Sequence, residues 1–260
     1  MKRNLLSAIA AAAALAAASW SSAHAARPNI AVQPISRMSE GWWRDRFQQK
    51  QRELRPDVQL VWLGDSITQN WEREGPEPWR MFRPVWNRFY GDRHALNLGF
   101  KGDSTCHVLW RLEHGELDTI HPRLFITLIG ANNFGHIHTD AAQTFAGMQK
   151  ILGLLHERDP QARVLLLGVL PSIRSAWVDE NTRQLNAMLA GYGHDHSDFV
   201  TYRDVSGLFM RDGRVDAGRF LDPHLTPPDP PLHPTAEAQA AIAAAIEPDV
   251  ARILGDHIHR

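Results

Sequence analysis

The chain has 260 residues and nearly balanced charge, with 28 Lys and Arg against 29 Asp and Glu. The basic residues are scattered rather than gathered into a patch, which argues against nucleic acid as the main partner. The only cysteine, Cys106, excludes an internal disulfide, so the stability of the fold must come from its core.

Residues 1–25 predict a cleaved export signal. A basic start, an almost unbroken apolar run over residues 5–18, and small residues at Ala23 and Ala25 form the pattern that a signal peptidase reads. The alternative is a membrane anchor, but the run is shorter than the roughly 20 residues needed to span a bilayer. We therefore expect a mature domain of residues 26–260, exported to the periplasm or secreted, with no stable membrane insertion.

Five short apolar runs alternate with longer helical patterns in the mature part, which is typical of an α/β protein with a parallel sheet. Most of the runs are apolar at consecutive positions, as expected for strands covered on both faces. The predicted strands are residues 59–63, 95–98, 124–129, 164–169 and 199–202.

Apolar residues at helical spacing predict four longer helices around these strands. They comprise residues 39–54, a helix capped by Asp140 that runs to about residue 156, and residues 178–189 and 235–254. Gly191 and Gly193 predict the end of the third helix. The six prolines in residues 221–234 predict an irregular loop before the last one.

Four polar blocks stand at predicted strand ends or helix starts, where the ligand crevice of a parallel sheet lies. Three follow the first three strands, and the fourth precedes the last helix. In chain order they are Gly64-Asp65-Ser66, residues 97–103, residues 130–133, and His233-Pro234.

Together these blocks meet the requirements of acyl transfer. Ser66, at a strand-to-helix turn, supplies a nucleophile, and His233 supplies the base that takes its proton. The oxyanion formed by attack on a carbonyl needs fixed donors, which the N–H groups of Ser66 and Gly102 and the side-chain amide of Asn132 supply. Glycine at position 102 lets the backbone approach the substrate closely.

These blocks resemble those of the SGNH or GDSL hydrolases, which supply Ser, Gly, Asn and His in this order. The resemblance covers nearly the whole mature chain. It is closest to the branch formed by the catalytic subunits of the intracellular platelet-activating-factor acetylhydrolase, through residues 96–105, 107–113, 115–117 and 132–136.

The resemblance implies a flavodoxin-like three-layer α/β/α sandwich with a five-stranded parallel sheet. It also implies Ser66 as nucleophile, Gly102 and Asn132 as the rest of the oxyanion hole, and His233 as base. The resembled subunits pair as dimers, and the composition leaves open whether this chain forms a homodimer.

The group that orients His233 is open at the level of sequence. The family places an aspartate three residues before the histidine, but here that position is Pro230. Asp229 or the more distant Asp222 could fill the role, or a backbone carbonyl could, leaving a Ser–His dyad. We favour Asp229 as the third catalytic residue.

The sequence thus predicts an exported serine esterase that cleaves short-acyl esters, above all acetyl esters, through an acyl-enzyme intermediate. Export favours a small-molecule or carbohydrate ester as the substrate. One alternative is a lysophospholipase or thioesterase that acts on longer acyl chains, and another is a non-catalytic carbohydrate-binding protein on the same fold. Three His-x-His pairs lack further ligands nearby in sequence, so we expect no metal and no cofactor.

Overall fold

The computed structural model describes residues 28–259, so the predicted export signal lies outside the described residues. Among those residues, no helix has the length and apolar character required to cross a membrane. Five strands form a parallel sheet in the order β2-β1-β3-β4-β5. The strands are β1 (Leu60–Gly64), β2 (Ala95–Gly99), β3 (Leu124–Leu128), β4 (Arg163–Leu167) and β5 (Val200–Arg203).

The order of the strands determines where a ligand can bind. The chain passes from β1 outward to β2 and then crosses back over β1 to β3, so the direction of winding reverses beside β1. In parallel sheets the binding crevice lies at such a reversal, outside the carboxyl ends of the strands. The segments that follow β1, β2 and β3 therefore meet at one place.

Helices cover both faces of this sheet. They are α1 (Gly41–Glu53), α2 (Ser66–Gln69), α3 (Phe82–Tyr90), α4 (Thr105–Glu113), α5 (Ala131–Gly135), α6 (Ala141–Arg158), α7 (Ala176–Asp195) and α8 (Ala236–Leu254). One apolar cluster joins the sheet to α4, α6 and α7, and the other joins it to α3 and α8. The predicted three-layer α/β/α sandwich is confirmed.

Alternating strand residues supply the two clusters, as period-two geometry requires. In β1, Leu60 and Trp62 face α3 and α8, whereas Val61 and Leu63 face the opposite helices. All four side chains are almost completely buried. This explains why the strands show continuous apolar runs in the sequence rather than an alternating pattern.

Two predicted helix ends can be compared with the structure. The helix α6 begins after Asp140, whose carboxylate accepts the Gln143 N–H in a capping box. The prediction that glycines end α7 is wrong, because the helix continues to Asp195. A Cβ on Gly193 would lie 2.7 Å from the Cβ of Tyr202 in β5, so this glycine serves close helix-to-strand packing.

A two-stranded hairpin between β5 and α8 was not predicted. It consists of β6 (Met210–Arg211) and β7 (Arg214–Val215), joined by Asp212 and Gly213. Both turn residues have positive φ, at 50° and 73°. An Asp-Gly pair is a strong sequence signal for such a turn, and the flanking strands were too short to be recognised.

Candidate active site

Ser66 lies at a tight turn between β1 and α2. Asp65 is the N-cap residue of α2, and its carboxylate accepts the Ile67 N–H at 2.9 Å. A Cβ at Gly64 would collide with Thr68 and with the carbonyl of Leu128, so only glycine allows the turn. Burial raises the pKa of Asp65 to about 6, even though the Ile67 N–H favours the charged form.

His233 joins Ser66 to a carboxylate. Its Nε2 lies 2.9 Å from Ser66 Oγ, and its Nδ1 lies 2.6 Å from Asp222 Oδ1. An ionised carboxylate can only accept hydrogen bonds, so Nδ1 carries the hydrogen and Nε2 is left to accept the proton of the hydroxyl. The three side chains have the arrangement of a Ser-His-Asp triad.

The acid in this arrangement is Asp222, which corrects the preference for Asp229. The loop of residues 221–234 folds back on itself, so that the Leu221 N–H donates to the His233 carbonyl at 2.7 Å. This pairing brings Asp222 beside His233 although the two are eleven positions apart in the sequence. The side chain of Asp229 is exposed, and its backbone N–H donates to the Asp222 carbonyl at 3.0 Å.

Asp222 is held in its ionised form. Burial alone would raise its pKa, but the His233 ring, the His233 N–H and the Leu232 N–H all donate to the carboxylate and bring the pKa below its ordinary value. Asp222 therefore remains a carboxylate throughout the neutral and mildly acidic range. It can orient the imidazole and stabilise an imidazolium.

The expected oxyanion donors come from the turns that follow β1, β2 and β3. Gly102 has φ of 77°, a conformation that favours glycine. Among residues 28–259, the backbone N–H groups of Ser66 and Gly102 bond to no other protein group. The Asn132 Nδ2 donates to the Asp103 carbonyl at 2.9 Å and lies 3.4 Å from an Asp65 carboxylate oxygen, which fixes the amide between the two blocks.

Asn132 gives the first prediction about activity. Asn132→Ala is expected to lower kcat for ester hydrolysis by about 100-fold to 1,000-fold, as loss of one oxyanion donor does in other acyl-transfer enzymes. Steady-state kinetics on a simple acetyl ester measures this. Thermal unfolding of the same sample shows whether the variant is folded. An unchanged kcat in the folded variant would exclude the amide from the oxyanion hole.

A buried charge network anchors the Gly102 loop through Asp103. One carboxylate oxygen accepts from Trp43 Nε1 at 2.8 Å and from Arg37 at 2.9 Å, and the other accepts from Arg111 Nε at 2.9 Å. Arg111 also pairs with Glu116, and both are completely buried. The network fixes the segment that presents the Gly102 N–H.

Removing Arg111 should strongly destabilise the fold. Arg111→Met leaves Glu116 without its paired cation and Asp103 with Arg37 alone, and breaking such a buried pair costs about 3–5 kcal/mol. The matched control is Arg158→Met, since Arg158 pairs with Asp118 at the exposed surface and should contribute less than about 1 kcal/mol. Urea unfolding measures the free energy of unfolding of both variants. Equal losses in the two would show that the buried network stabilises the fold no more than a surface ion pair.

Within residues 28–259, one group of side chains could hold a metal ion, and it lies near the amino ends of the strands. The ligand atoms of Asp92, His257 and His259 lie within 4.8 Å of one another. Asp92 precedes β2, and the two histidines follow α8. The sequence placed the histidines in a His-x-His pair but gave no sign of Asp92 as a third ligand. None of the three belongs to the Ser66 site.

Sequence comparison agrees with the geometry of the site. The model of the GDSL-like lipase/acylhydrolase family matches residues 62–241, a span that contains all four blocks. The chain is similar to the platelet-activating factor acetylhydrolase IB subunit alpha1 of Homo sapiens, with 38% identity over 156 residues. That match covers 58% of this chain and 62% of the human subunit.

Comparison with solved structures agrees with the fold. A GDSL-like lipase from Bacteroides thetaiotaomicron superposes with a TM-score of 0.60 at 16% identity, covering 80% of this chain and 97% of that protein. Est24, a carbohydrate acetylesterase from Sinorhizobium meliloti, superposes with a TM-score of 0.56 at 16% identity, covering 75% and 99%. At these identities the likeness concerns the fold alone.

Proposed function

This chain belongs to the GDSL-like lipase/acylhydrolase family, and on that premise we propose that it hydrolyses esters with Ser66, His233 and Asp222 as its catalytic triad. The observation that carries this proposal is the position of His233. Its two ring nitrogens lie 2.9 Å from Ser66 Oγ and 2.6 Å from Asp222 Oδ1. One imidazole is thus oriented by an acid on one side and directed at a hydroxyl on the other.

Acylation begins when the Ser66 hydroxyl attacks the ester carbonyl. His233 Nε2 takes the hydroxyl proton as the bond from Oγ to carbon forms, and Asp222 stabilises the resulting imidazolium. The carbonyl oxygen gains negative charge and accepts from the Ser66 N–H, the Gly102 N–H and the Asn132 amide. The carbon–oxygen bond to the alcohol then breaks, and the alcohol leaves with the proton from His233.

Deacylation repeats these steps with water. His233 takes a proton from a water molecule, and the water oxygen attacks the acyl carbon attached to Ser66. The tetrahedral intermediate collapses, the acid is released, and the Ser66 oxygen regains its proton from His233. The net reaction converts an ester and water into an acid and an alcohol.

We propose a short acyl group, above all acetyl, and a carbohydrate alcohol. The acetyl preference is supported by the human relative, which is named an acetylhydrolase, and by the name of Est24 as a carbohydrate acetylesterase. Export to the periplasm or medium, which the first 25 residues predict, would bring the enzyme to acetylated polysaccharides. Release of a processed chain that begins at Ala26, measured by N-terminal sequencing of the exported protein, tests this location.

A series of acyl chain lengths tests the proposed acyl group. The kcat/KM should be highest for acetyl and fall steadily for butyryl and octanoyl esters of the same alcohol. A maximum at octanoyl would support the alternative of a lysophospholipase or thioesterase. Absence of Ser66-dependent hydrolysis with every ester would contradict the proposed catalytic site.

A further inference from the structure

Arg174 lies beside the candidate active site and was not recognised in the sequence. It belongs to the loop between β4 and α7, where its Nε donates to Ser172 Oγ at 3.2 Å. Its Nη2 donates at 3.2 Å to the carbonyl of Ala131, the residue before Asn132. A Cβ at Gly135 would lie 2.8 Å from Nη1, so glycine there makes room for the guanidinium against α5.

The charge of Arg174 is not matched by an adjacent carboxylate. Within the described range of residues, no Asp or Glu oxygen lies within 4.0 Å of its guanidinium. A guanidinium has five N–H donors, and the protein accepts from only two of them here. Asp65 and Asp222 are close enough to act on the charge, but their oxygens are engaged by the Ile67 N–H and by His233.

The surroundings of the guanidinium suit a bound ring that carries a negative charge. Trp177, the second residue of α7, is 43% exposed. Its ring meets the ring of Phe134 edge-on, with centroids 6.1 Å apart. Phe134 precedes Gly135, against which the guanidinium packs, so the exposed indole lies on the same part of the surface. An indole there can pack against a sugar ring while the arginine binds the acidic substituent of that ring.

We propose that Arg174 binds an anionic group, a carboxylate or a phosphate, on the alcohol part of the ester substrate. The inference rests on the proposed function, because an acetyl group carries no charge and the anion must therefore belong to the alcohol. The free N–H groups of the guanidinium form a planar fork that matches two oxygens of such a group. Arg174 is thus a specificity residue rather than a catalytic one.

A structural role for Arg174 makes a different prediction. As a brace between the β4–α7 loop and α5, the side chain would support Asn132, and its loss would lower hydrolysis of all esters by a similar factor. As an anion subsite, its loss changes the ratio between charged and neutral substrates. The ratio of kcat/KM values therefore separates the two roles.

The experiment compares three acetylated sugars that differ at one position: a neutral hexoside, the matching uronate and the matching hexose phosphate. Their kcat/KM values are measured for the full chain, Arg174→Gln, Arg174→Lys and the control Arg52→Gln. Arg52 is an exposed arginine near the end of α1 and makes no contact with the candidate site residues. If kcat/KM falls more for the uronate in the Arg174 variants, the ligand is a carboxylate. If it falls more for the hexose phosphate, the ligand is a phosphate.

The subsite predicts that Arg174→Gln lowers the ratio of charged to neutral kcat/KM by about 10-fold or more, mainly through KM, as loss of a charged hydrogen bond does. Arg174→Lys should retain part of the ratio, and Arg52→Gln should leave it unchanged. An equal loss for all three sugars would overturn the proposal. The proposal would also be overturned if the ratio of charged to neutral kcat/KM were close to 1 in the wild type and the same in Arg174→Gln.

Failure of the proposed function looks different from failure of this subsite. If Ser66→Ala and the wild type hydrolyse the neutral hexoside equally, the catalytic assignment fails. If hydrolysis depends on Ser66 but the ratio does not depend on Arg174, only the subsite fails. Should Arg174→Gln unfold, the ratio in Arg174→Lys and competitive inhibition of the wild type by the free uronate or hexose phosphate decide the matter.

Discussion

Ser66→Ala should lower kcat for hydrolysis of a simple acetyl ester by at least about 10,000-fold, the scale seen when a serine nucleophile is removed from a triad. The physical reason is that no other hydroxyl can replace an oxygen that lies 2.9 Å from His233 Nε2. Initial rates at saturating ester, with the spontaneous hydrolysis subtracted, give the ratio.

The fold should tolerate this change. Ser66 is 7% exposed, and the substitution removes one hydroxyl and its hydrogen bond with His233. The free energy of unfolding should change by no more than about 1–2 kcal/mol. A well-folded variant that keeps more than a few per cent of the wild-type kcat would exclude Ser66 as the nucleophile.

Asp222→Asn should lower kcat by about 1,000-fold to 10,000-fold, because an amide in that place no longer fixes the tautomer in which His233 Nε2 is the acceptor. The amide also cannot stabilise the imidazolium by charge. The test is kcat of the folded variant across the neutral pH range, in which the lowered pKa of Asp222 keeps the wild-type carboxylate ionised.

Asp229→Asn is the matched control for this prediction. The two acids lie in the same loop, but Asp229 is exposed, and its backbone N–H, which the substitution retains, is what contacts Asp222. The kcat of Asp229→Asn should stay within about twofold of the wild type, because surface substitutions away from buried contacts and hydrogen-bond networks have small effects. A large loss in Asp229→Asn together with a small loss in Asp222→Asn would restore the original preference.

Much of the fold and site could be predicted because the signals are local. The strands are short apolar runs, since both faces of the sheet are covered, and Ser66, Gly102 and Asn132 each follow one of these runs directly. Parallel strands bring their carboxyl ends to one edge. Chain order and strand position were therefore sufficient to place these residues together, with His233 in the loop just before α8.

The acid could not be chosen in this way because its position depends on long-range pairing. Phe220 forms an antiparallel bridge with Pro234, which closes the proline-rich loop and sets Asp222 opposite His233. Asp229 is closer to His233 in the sequence, but the folded loop places Asp222 against the His233 ring. Arg174 carried even less signal, because a single arginine in a loop becomes informative only when its neighbours in space are known.

The most direct test of the account is covalent labelling with diethyl p-nitrophenyl phosphate, which phosphorylates an activated serine irreversibly. Intact mass and peptide mapping should show one diethylphosphoryl group per chain, attached to Ser66, and none on Ser66→Ala. Labelling of a different residue, or equal labelling of the wild type and Ser66→Ala, would contradict the claim that Ser66 is the nucleophile of this hydrolase.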